Sequence, residues 1–405
     1  MKFLRTASTR RLLATIAGVV ALIAAGTAIA VAASGSDPVP AKRSLAQAIH
    51  TGLSASAPQG ISARISFTNH LIDASDIQGS DPILNGTSGR LWISSNHQMR
   101  LELQGDNGDA QVVVSGRSFW IYDPTSNTIY EGKLPADTSA SDNAKAQQEA
   151  IPSVAQIQSD IGRLMAHVDL SGARPGDVAG RAAYTVRVSP KHDGGLLGAG
   201  ELAWDAARGV PLRIAVYARN DGTPVLQLKA THISFGPVPS SDIEIPQPNG
   251  AKVVTVSTPS GSAADHGAKQ HGAKRRAEVT GVAAVARHLP FALVAPKTLV
   301  GLRRQSVTLL DWKGSPAALL TYGQNVGVIA VIEQTAKTTA SSQSSDHRGL
   351  NLPTVSVNGA TGQELDTALG TLIRFSRNGV GYTVAGSVPP TAADLAARAL
   401  AAPKR

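Results

Sequence analysis

The segment Ile61-Ser62-Ala63-Arg64-Ile65-Ser66-Phe67-Thr68 gives the clearest indication of the fold class of this chain. Its apolar residues occupy every second position, and polar residues stand between them. A period of two indicates a β-strand with one apolar face, because successive side chains of a strand point to opposite sides of a sheet. The stretch therefore predicts an antiparallel strand that turns one face towards a core.

The same alternation returns at short intervals as far as residue 235, interrupted by Gly, Asn, Asp and Pro. Asp123-Pro124 and Asn220-Asp221-Gly222 are good turn sequences between such segments. Short one-sided strands joined by tight turns are typical of an antiparallel sheet. We predict strands near residues 61–67, 90–94, 98–104, 110–115, 118–122, 127–131, 183–188, 200–204, 211–217 and 225–235.

Two amphipathic helices interrupt these strands. The first, at about 42–56, places Leu45, Ile49 and Leu53 on one side, although Gly52 weakens it. The second lies at about 152–168 and needs an apolar surface to lie on. Its apolar stripe consists of Val154, Ile157, Ile161, Leu164, Met165 and Val168.

The number of strands creates a problem of coverage. About ten one-sided strands in a single curved sheet present more apolar area than two helices of roughly four turns can cover, which would leave room for a ligand. The alternative is that the strands divide into two facing sheets, as in a sandwich, with no apolar area left over. The alternation is compatible with both arrangements.

The N-terminus directs the chain to a membrane. After the basic start MKFLRTASTRR, residues 12–33 form an uncharged apolar run, long enough for a helix to cross the ~30 Å hydrocarbon layer of a bilayer. Ala30-Val31-Ala32 offers a cleavage pattern, so residues 1–36 are either a signal peptide or a retained anchor. The positive-inside rule keeps the N-terminus cytoplasmic and predicts an extracytoplasmic location, in the cell envelope, for the rest.

The composition excludes several classes of protein. The 405 residues are 42% apolar, which predicts packed domains, and the absence of Cys excludes disulfide scaffolds and thiolate chemistry. The net charge of +9 lies mostly outside the expected domains, since residues 1–36 hold four basic residues and residues 261–277 hold four with one acid. The expected domains therefore have nearly equal numbers of basic and acidic residues and no basic patch for binding nucleic acid, so we expect no nucleic acid as a partner.

Residues 257–278 lack periodicity and repeat HGAK, which predicts a flexible basic linker. The segments on either side are then a first domain at 37–256 and a C-terminal domain at 279–405. In the latter, Thr391-Ala-Ala-Asp394 resembles a capping box at the start of a short final helix. We predict its strands near 306–311, 316–322, 326–333, 353–357, 371–376 and 380–386.

No catalytic motif is present. The sequence has no nucleophile elbow, zinc-protease helix, calcium loop or phosphate loop. GGLLGAG at 194–200 has its glycines in the wrong order for a nucleotide fingerprint and predicts a hairpin turn. We therefore expect no enzyme, and we assign no catalytic residue, no metal ligand and no cofactor.

Several short pieces carry a resemblance when they are taken in order. AGRAAYTVRV at 179–188, GELAWD at 200–205, GVPLR at 209–213 and FGPVP at 235–239 resemble the second half of the lipoprotein-carrier superfamily that includes LolA, LppX and RseB, over about residues 41–256. The C-terminal domain resembles the one that follows in RseB-like regulators. Its matching pieces are LP at 289–290, LLTYG at 319–323 and GVGYTVAG at 379–386.

The resemblance implies a fold class and a function. The fold class is mainly β (α+β): a curved, incompletely closed antiparallel half-barrel with lid helices, a smaller C-terminal α+β domain and the N-terminal hydrophobic helix. The concave face of such a sheet receives acyl chains of a lipid or lipoprotein, and RseB-like proteins bind an anti-sigma factor. A second domain and a possible anchor distinguish this chain from the simple carriers.

The leading hypothesis is a non-enzymatic carrier or envelope sensor that binds a lipid or lipoprotein at the membrane. The alternative is a regulator of an anti-sigma factor or other membrane protein, with the cleft filled by its own side chains and no lipid cargo. A third hypothesis, an envelope hydrolase, has no motif in its favour. The candidate lipid contacts are Leu101, Leu103, Val112, Val114, Phe119 and Ile121 on the sheet, with Ile157, Ile161, Leu164 and Met165 on the lid helix.

Overall fold

The structure is a computed structural model. It describes residues 39–73, 81–96, 98–134, 152–191, 195–256, 279–312, 315–324, 327–336 and 352–402. The apolar run at 12–33 and the linker at 257–278 lie outside these residues. Within the described part, no helix is both long and apolar enough to cross a bilayer.

The first part of the chain folds into a large sheet with a few short helices. Both predicted amphipathic helices are present, each shorter than expected at its ends. The helices are α1 (Leu45–Leu53), α2 (Pro82–Asn85), α3 (Val154–Leu164) and α4 (Ser240–Ile243). The strands are β1 (Gly60–Asn69), β2 (Thr87–Ser94), β3 (Met99–Leu103), β4 (Ala110–Ser115), β5 (Ser118–Asp123), β6 (Thr128–Lys133), β7 (Val168–Leu170), β8 (Arg174–Val178), β9 (Arg181–Pro190), β10 (Leu197–Asp205), β11 (Pro211–Ala218), β12 (Pro224–Phe235) and β13 (Lys252–Val256).

All thirteen of these strands belong to one curled sheet. Their order is β13-β6-β5-β4-β3-β2-β1-β12-β11-β10-β9-β7, and β8 also pairs with β9. In the described part of the chain no ladder joins β13 to β7 or β8, so the sheet curls without closing. The half-barrel predicted above is confirmed, and the two-sheet sandwich is wrong.

The sheet consists of two meanders. Strands β1 to β6 each pair with the next along the chain, as do β9 to β12, and the antiparallel ladder between β1 and β12 joins the two sets. The strand β13 differs, because it returns to the far edge and pairs with β6 in parallel.

A second sheet forms from the C-terminal part of the chain. Its order is β14-β15-β16-β17-β21-β20-β19-β18, and the final helix packs on three of these strands. The helices are α5 (Val282–Ala286) and α6 (Pro390–Leu400). The strands are β14 (Thr298–Leu299), β15 (Leu302–Trp312), β16 (Ser315–Tyr322), β17 (Ile329–Thr335), β18 (Thr354–Val357), β19 (Ala360–Thr367), β20 (Gly370–Arg377) and β21 (Val380–Gly386).

The start of α6 differs from the sequence prediction. The helix begins at Pro390 with Pro389 as its N-cap, and no side chain caps it, so the capping box expected at Thr391 and Asp394 is wrong. Proline suits the first turn of a helix because the amide hydrogen that it lacks has no partner there. Asp394 instead accepts a hydrogen bond from Arg398, one turn later, at 2.6 Å.

A buried carboxylate holds an apolar segment against this second sheet. Glu333 on β17 has no solvent exposure, and its Oε2 accepts a hydrogen bond from the Val294 amide at 3.0 Å. Nearby, burial raises the pKa of Tyr322 to about 12. The bond to Glu333 explains how residues 289–295 stay on the sheet without forming a strand of their own.

The two sheets touch through turns. The Leu196 amide, in the turn between β9 and β10, donates to Ser387 Oγ at 3.0 Å, and the Ala368 amide donates to the Leu71 carbonyl at 2.9 Å. The described part of the GGLLGAG segment, residues 195–200, leads into β10, which pairs antiparallel with β9, as the hairpin expected from its sequence requires.

Candidate functional site

The register of the large sheet aligns one apolar residue from each of eight neighbouring strands. Successive residues in this row are direct cross-strand partners. None carries a charge, and all belong to or pack against a single apolar cluster. We call the side of the sheet on which this row lies the inner face. The row is Ile233, Ala63, Leu91, Leu101, Val112, Ile121, Tyr130 and Val254.

The six sheet residues proposed as lipid contacts all lie on the inner face. Leu101, Val112 and Ile121 belong to the row itself. Val114 and Phe119 are partners in the adjacent row, and Leu103 lies two residues from Leu101 on the same strand. The structure brings all six together in the main apolar cluster. Their role as lipid contacts stays a prediction.

The inner face is filled by the protein's own side chains. Leu101, Ile121 and Val112 are 2%, 4% and 8% exposed. A cavity of about 30 Å³ remains between β1, β2, β11 and β12, lined by apolar side chains such as Ala63, Leu212 and Ala230. A cavity needs roughly 10–15 Å³ to hold a water molecule, whereas one that binds benzene has about 150 Å³, so this cavity suits water-sized occupants only. Within the described residues, the unfilled apolar area expected from the strand count is not found along this row, because other side chains of the protein cover it.

The four proposed contacts at α3, of which Met165 directly follows the helix, lie outside the main apolar cluster. The helix packs against α1, and none of its residues belongs to the main apolar cluster. Ile157 is buried and Ile161 half-buried, whereas Leu164 and Met165 are 48% and 41% exposed. The stripe therefore holds α3 in place near its middle and leaves apolar side chains in water at the C-terminal end.

Helix α1 is the element that covers the β9–β10 part of the sheet. Its Ala48 packs against Tyr184 and Trp204. The Tyr184 hydroxyl donates to the Ala41 carbonyl at 2.6 Å, which fixes the chain just before the helix. A Cβ on Gly52 would lie 3.3 Å from the Gly209 Cα, so the glycine that weakens the helix also permits its close approach to the sheet.

Asp205 organises the turn between β10 and β11. Its Oδ1 accepts hydrogen bonds from the Ala207 and Arg208 amides at 2.9 and 2.8 Å, and its Oδ2 accepts one from Arg181 Nε at 2.9 Å. The side chain is 2% exposed. Asp205, the last residue of the GELAWD piece, thus has a structural role. The sequence resemblance included this residue but did not indicate that role.

The opposite, outer side of the sheet carries a charged network. Glu201 accepts from Arg213 at 2.7 Å and lies 3.8 Å from Arg187. Arg213 also donates to the Tyr217 hydroxyl at 2.6 Å, while the Arg187 guanidinium lies over the Tyr217 ring. The arginines are paired and cover apolar surface with their stems, so this network stabilises the sheet. Sequence reasoning missed it because the partners lie on three different strands.

The short helix α2 closes one end of the apolar cluster with Ile83. Asp81 caps it, accepting from the Ile83 amide at 2.8 Å. Burial raises the pKa of Asp81, and the charge of Asp123 raises it further. The Asp81 side chain therefore stabilises the start of α2, and we assign it no role at the inner face.

The described residues contain no group of three His, Asp or Glu side chains able to hold a metal ion. The inner face itself offers no charged side chain in its central row, so what it can recognise is apolar. Fold and site together define a mainly β protein with an open, curled sheet around one apolar interior.

Comparison with known proteins adds solved structures of low similarity. The sequence matches no family model and no curated protein. A chain in the MucA/MucB complex structure of Pseudomonas aeruginosa is 16% identical over 87% of this chain and 94% of that chain, with a TM-score of 0.38. A LolA superfamily protein of Nitrosomonas europaea is 9% identical over 50% of this chain and 99% of that chain, with a TM-score of 0.21. The TM-scores are low, so we use neither to assign a ligand or a partner.

Proposed function

We propose that this chain is a non-enzymatic, extracytoplasmic binding protein whose inner face takes up the acyl chain of a lipid or lipoprotein, as a carrier or envelope sensor. The observation that carries the proposal is the uncharged row across eight strands, from Ile233 on β12 to Val254 on β13. A fatty chain is the ligand that such a surface suits, because it requires apolar contact along its length and no polar partner.

The energy available is sufficient for binding without a charged site. Each buried CH₂ group contributes about 0.8 kcal/mol, so a chain of some sixteen carbons gains on the order of 10 kcal/mol before the costs of ordering it. Affinity then depends on how much of the inner face the chain can reach.

The cavity between β1, β2, β11 and β12, at about 30 Å³, is too small for an acyl chain, so uptake there requires the sheet to open. The edges are not paired with each other in the described residues, and β13 is held on one side only, by its parallel ladder to β6. The curl can therefore widen without the loss of any ladder. Side chains that now pack on one another would exchange those contacts for contacts with the ligand.

The test uses the full chain in vesicles that contain a photoactivatable fatty acid. After irradiation, mass spectrometry locates the labelled peptides, and we expect label on β3, β4 and β5. Ala63→Leu fills the cavity from the inner face and should lower this labelling several-fold. Ser62→Leu adds a similar side chain on the other side of the same strand and should leave it unchanged.

Label confined to the surface, or label on β3 to β5 that is unaffected by Ala63→Leu, contradicts acyl uptake. Thermal unfolding of both variants shows whether either has simply lost its fold. Labelled inner-face peptides together with the expected difference between the two variants support the proposal.

One observation favours a second function, the regulator of an anti-sigma factor or other membrane protein without lipid cargo. The inner face is filled, with Leu101 only 2% exposed, which is what a cleft without cargo looks like. This proposal predicts no acyl label on the inner face and a one-to-one cross-link between the C-terminal part of the full chain and a membrane protein in native membranes.

A further inference from the structure

Exposed apolar side chains are concentrated on the α1–α3 pair. Among the described residues, nine large apolar side chains are exposed, and five of them lie on these two helices, on the residue after α3 or just before α1. Their exposed fractions run from 37% to 50%. We call these five residues the helix-pair patch. They are Val39, Leu53, Val154, Leu164 and Met165.

Four of these residues lie at the two ends of the helix pair. Val154 lies at the start of the apolar stripe of α3, and Leu164 and Met165 lie about three turns later at its end, while Ile157 between them is buried. The last turn of α1 meets the start of α3, where His50 Nδ1 lies 3.0 Å from the Pro152 carbonyl oxygen, so Leu53 and Val154 are at the same end of the pair. Ser153 and Gln156 form a capping box, which stabilises the start of α3.

The charges around the patch are mainly basic. Lys42 and Arg43 are exposed directly before α1, and Lys191 donates to the Met165 carbonyl at 2.7 Å at the end of α3. Arg163 pairs with Asp160 on the polar side of the helix. Apolar side chains with basic side chains at their border are the combination that binds anionic lipid surfaces.

The chain limits how far the start of α1 can lie from the end of the apolar run. The apolar run ends at residue 33, and the hydrogen bond from Tyr184 fixes the chain at Ala41, eight residues later. Eight extended residues span at most about 29 Å. This step rests on the proposed extracytoplasmic location and on the retained anchor, one of the two interpretations of the N-terminus, and it does not depend on acyl uptake.

We propose that the helix-pair patch docks on the anionic lipid surface of the membrane from which the chain emerges. Leu53, Leu164 and Met165 then lie at the boundary of headgroups and acyl chains, and Lys42, Arg43 and Lys191 lie among the lipid phosphates.

Single cysteines with an environment-sensitive fluorophore test the docking, because the chain has no cysteine of its own. Met165→Cys reports from the patch, and Ser159→Cys reports from the opposite side of the same helix. The labelled full chain is reconstituted into phosphatidylcholine–phosphatidylglycerol vesicles that carry a nitroxide on the acyl chains. We expect a blue shift and strong quenching at position 165 and neither at position 159.

Charge removal provides the second measurement. Lys191→Gln should lower the ratio of docked to undocked chains about fivefold, equivalent to ~1 kcal/mol for one basic side chain near an anionic surface. Lys252→Gln, on the edge strand β13, removes an exposed charge away from the patch and should change nothing. Vesicles of phosphatidylcholine alone should weaken quenching at position 165 in the same direction.

Equal quenching at positions 165 and 159 overturns the proposal. A blue shift at 165 that persists in detergent and depends on protein concentration also overturns it, because the patch would then bind a second copy of the chain. Acyl labelling of the inner face with no quenching at 165 would remove the docking proposal and leave the proposed function standing.

Discussion

Asp205 shows how one buried carboxylate can hold a corner of the sheet. It accepts two backbone hydrogen bonds within its own turn and a third from Arg181. Asp205→Ala leaves the two amides and the guanidinium without their acceptor, and we expect a loss of about 3 kcal/mol in the free energy of unfolding. Urea unfolding of the full chain, followed by tryptophan fluorescence, measures it.

The conservative variant separates charge from hydrogen bonding. Asp205→Asn keeps the Oδ1 acceptor for the turn amides and loses the negative charge opposite Arg181, so it should lose about 1 kcal/mol. Equal losses for the two variants would show that the ion pair, and not the turn, carries the effect of Asp205.

Alternation in the sequence predicted which side chains share the inner face, because a strand has a period of two. Leu101, Val112 and Ile121 were assigned to one face in this way, and the register makes them direct neighbours. Their burial could not be predicted, since it depends on the curl of the sheet. The roles of Asp205 and Gly52 were also out of reach, because Arg181 and Gly209 meet them only in the folded chain.

The contact between α1 and the β10–β11 turn depends on two glycines. Gly209 has a φ of +67°, and a Cβ there would lie 2.3 Å from the Gly52 carbonyl oxygen. Gly209→Ala therefore combines backbone strain with a clash that only a shift of α1 can relieve. We expect the free energy of unfolding to fall by about 1 kcal/mol more than backbone strain alone would cause. Amide hydrogen exchange in α1 should also become faster.

Gly180 provides the matched control for this prediction. Its φ is +71°, but a Cβ there meets nothing within 4 Å. Gly180→Ala should lose about 1 kcal/mol from the strain of a left-handed residue and leave exchange in α1 unchanged. If both variants behave alike, the close approach of α1 to the sheet is not what requires Gly209.

The long alternating strands and both amphipathic helices were predictable, whereas the short or polar strands were not. Arg174–Val178 contains Pro175 and Gly176 and has no alternation, so β8 gave no signal. Lys252–Val256 pairs in parallel with a strand more than a hundred residues earlier, which no local pattern indicates. The same limit explains why alternation could not distinguish one curled sheet from two facing ones.

The two sheets meet at a glycine that leaves no room for a side chain. Gly195 has a φ of +61°, and a Cβ there would lie 2.3 Å from the Ser387 carbonyl oxygen. Gly195→Val should push the sheets apart and break the hydrogen bond between Leu196 and Ser387. Spin labels at Arg64→Cys on β1 and at Leu395→Cys on helix α6, which packs on the second sheet, should then give longer and broader distances by pulsed electron resonance.

Gly222→Val is the control for the contact between the sheets. It lies in a turn on the surface, where a Cβ meets nothing within 4 Å, and should leave the label distances unchanged. An unchanged distance distribution in Gly195→Val would show that this turn does not set the arrangement of the two sheets.

The ladder between β1 and β12 has a consequence for how the chain acquires its shape. Ile61 lies opposite Phe235, so the ladder at the centre of the sheet joins the two most distant parts of its two meanders. Closing the long loop between β1 and β12 costs entropy before their pairing offsets it. Proteins with such high contact order therefore fold slowly. During synthesis each of the two meanders can form early, because its strands are neighbours in the chain. The edges of β1 and β12 that face each other stay unpaired until residue 235 has emerged. A chaperone that binds β1 in that interval would prevent its unpaired edge from pairing with a strand of another nascent chain.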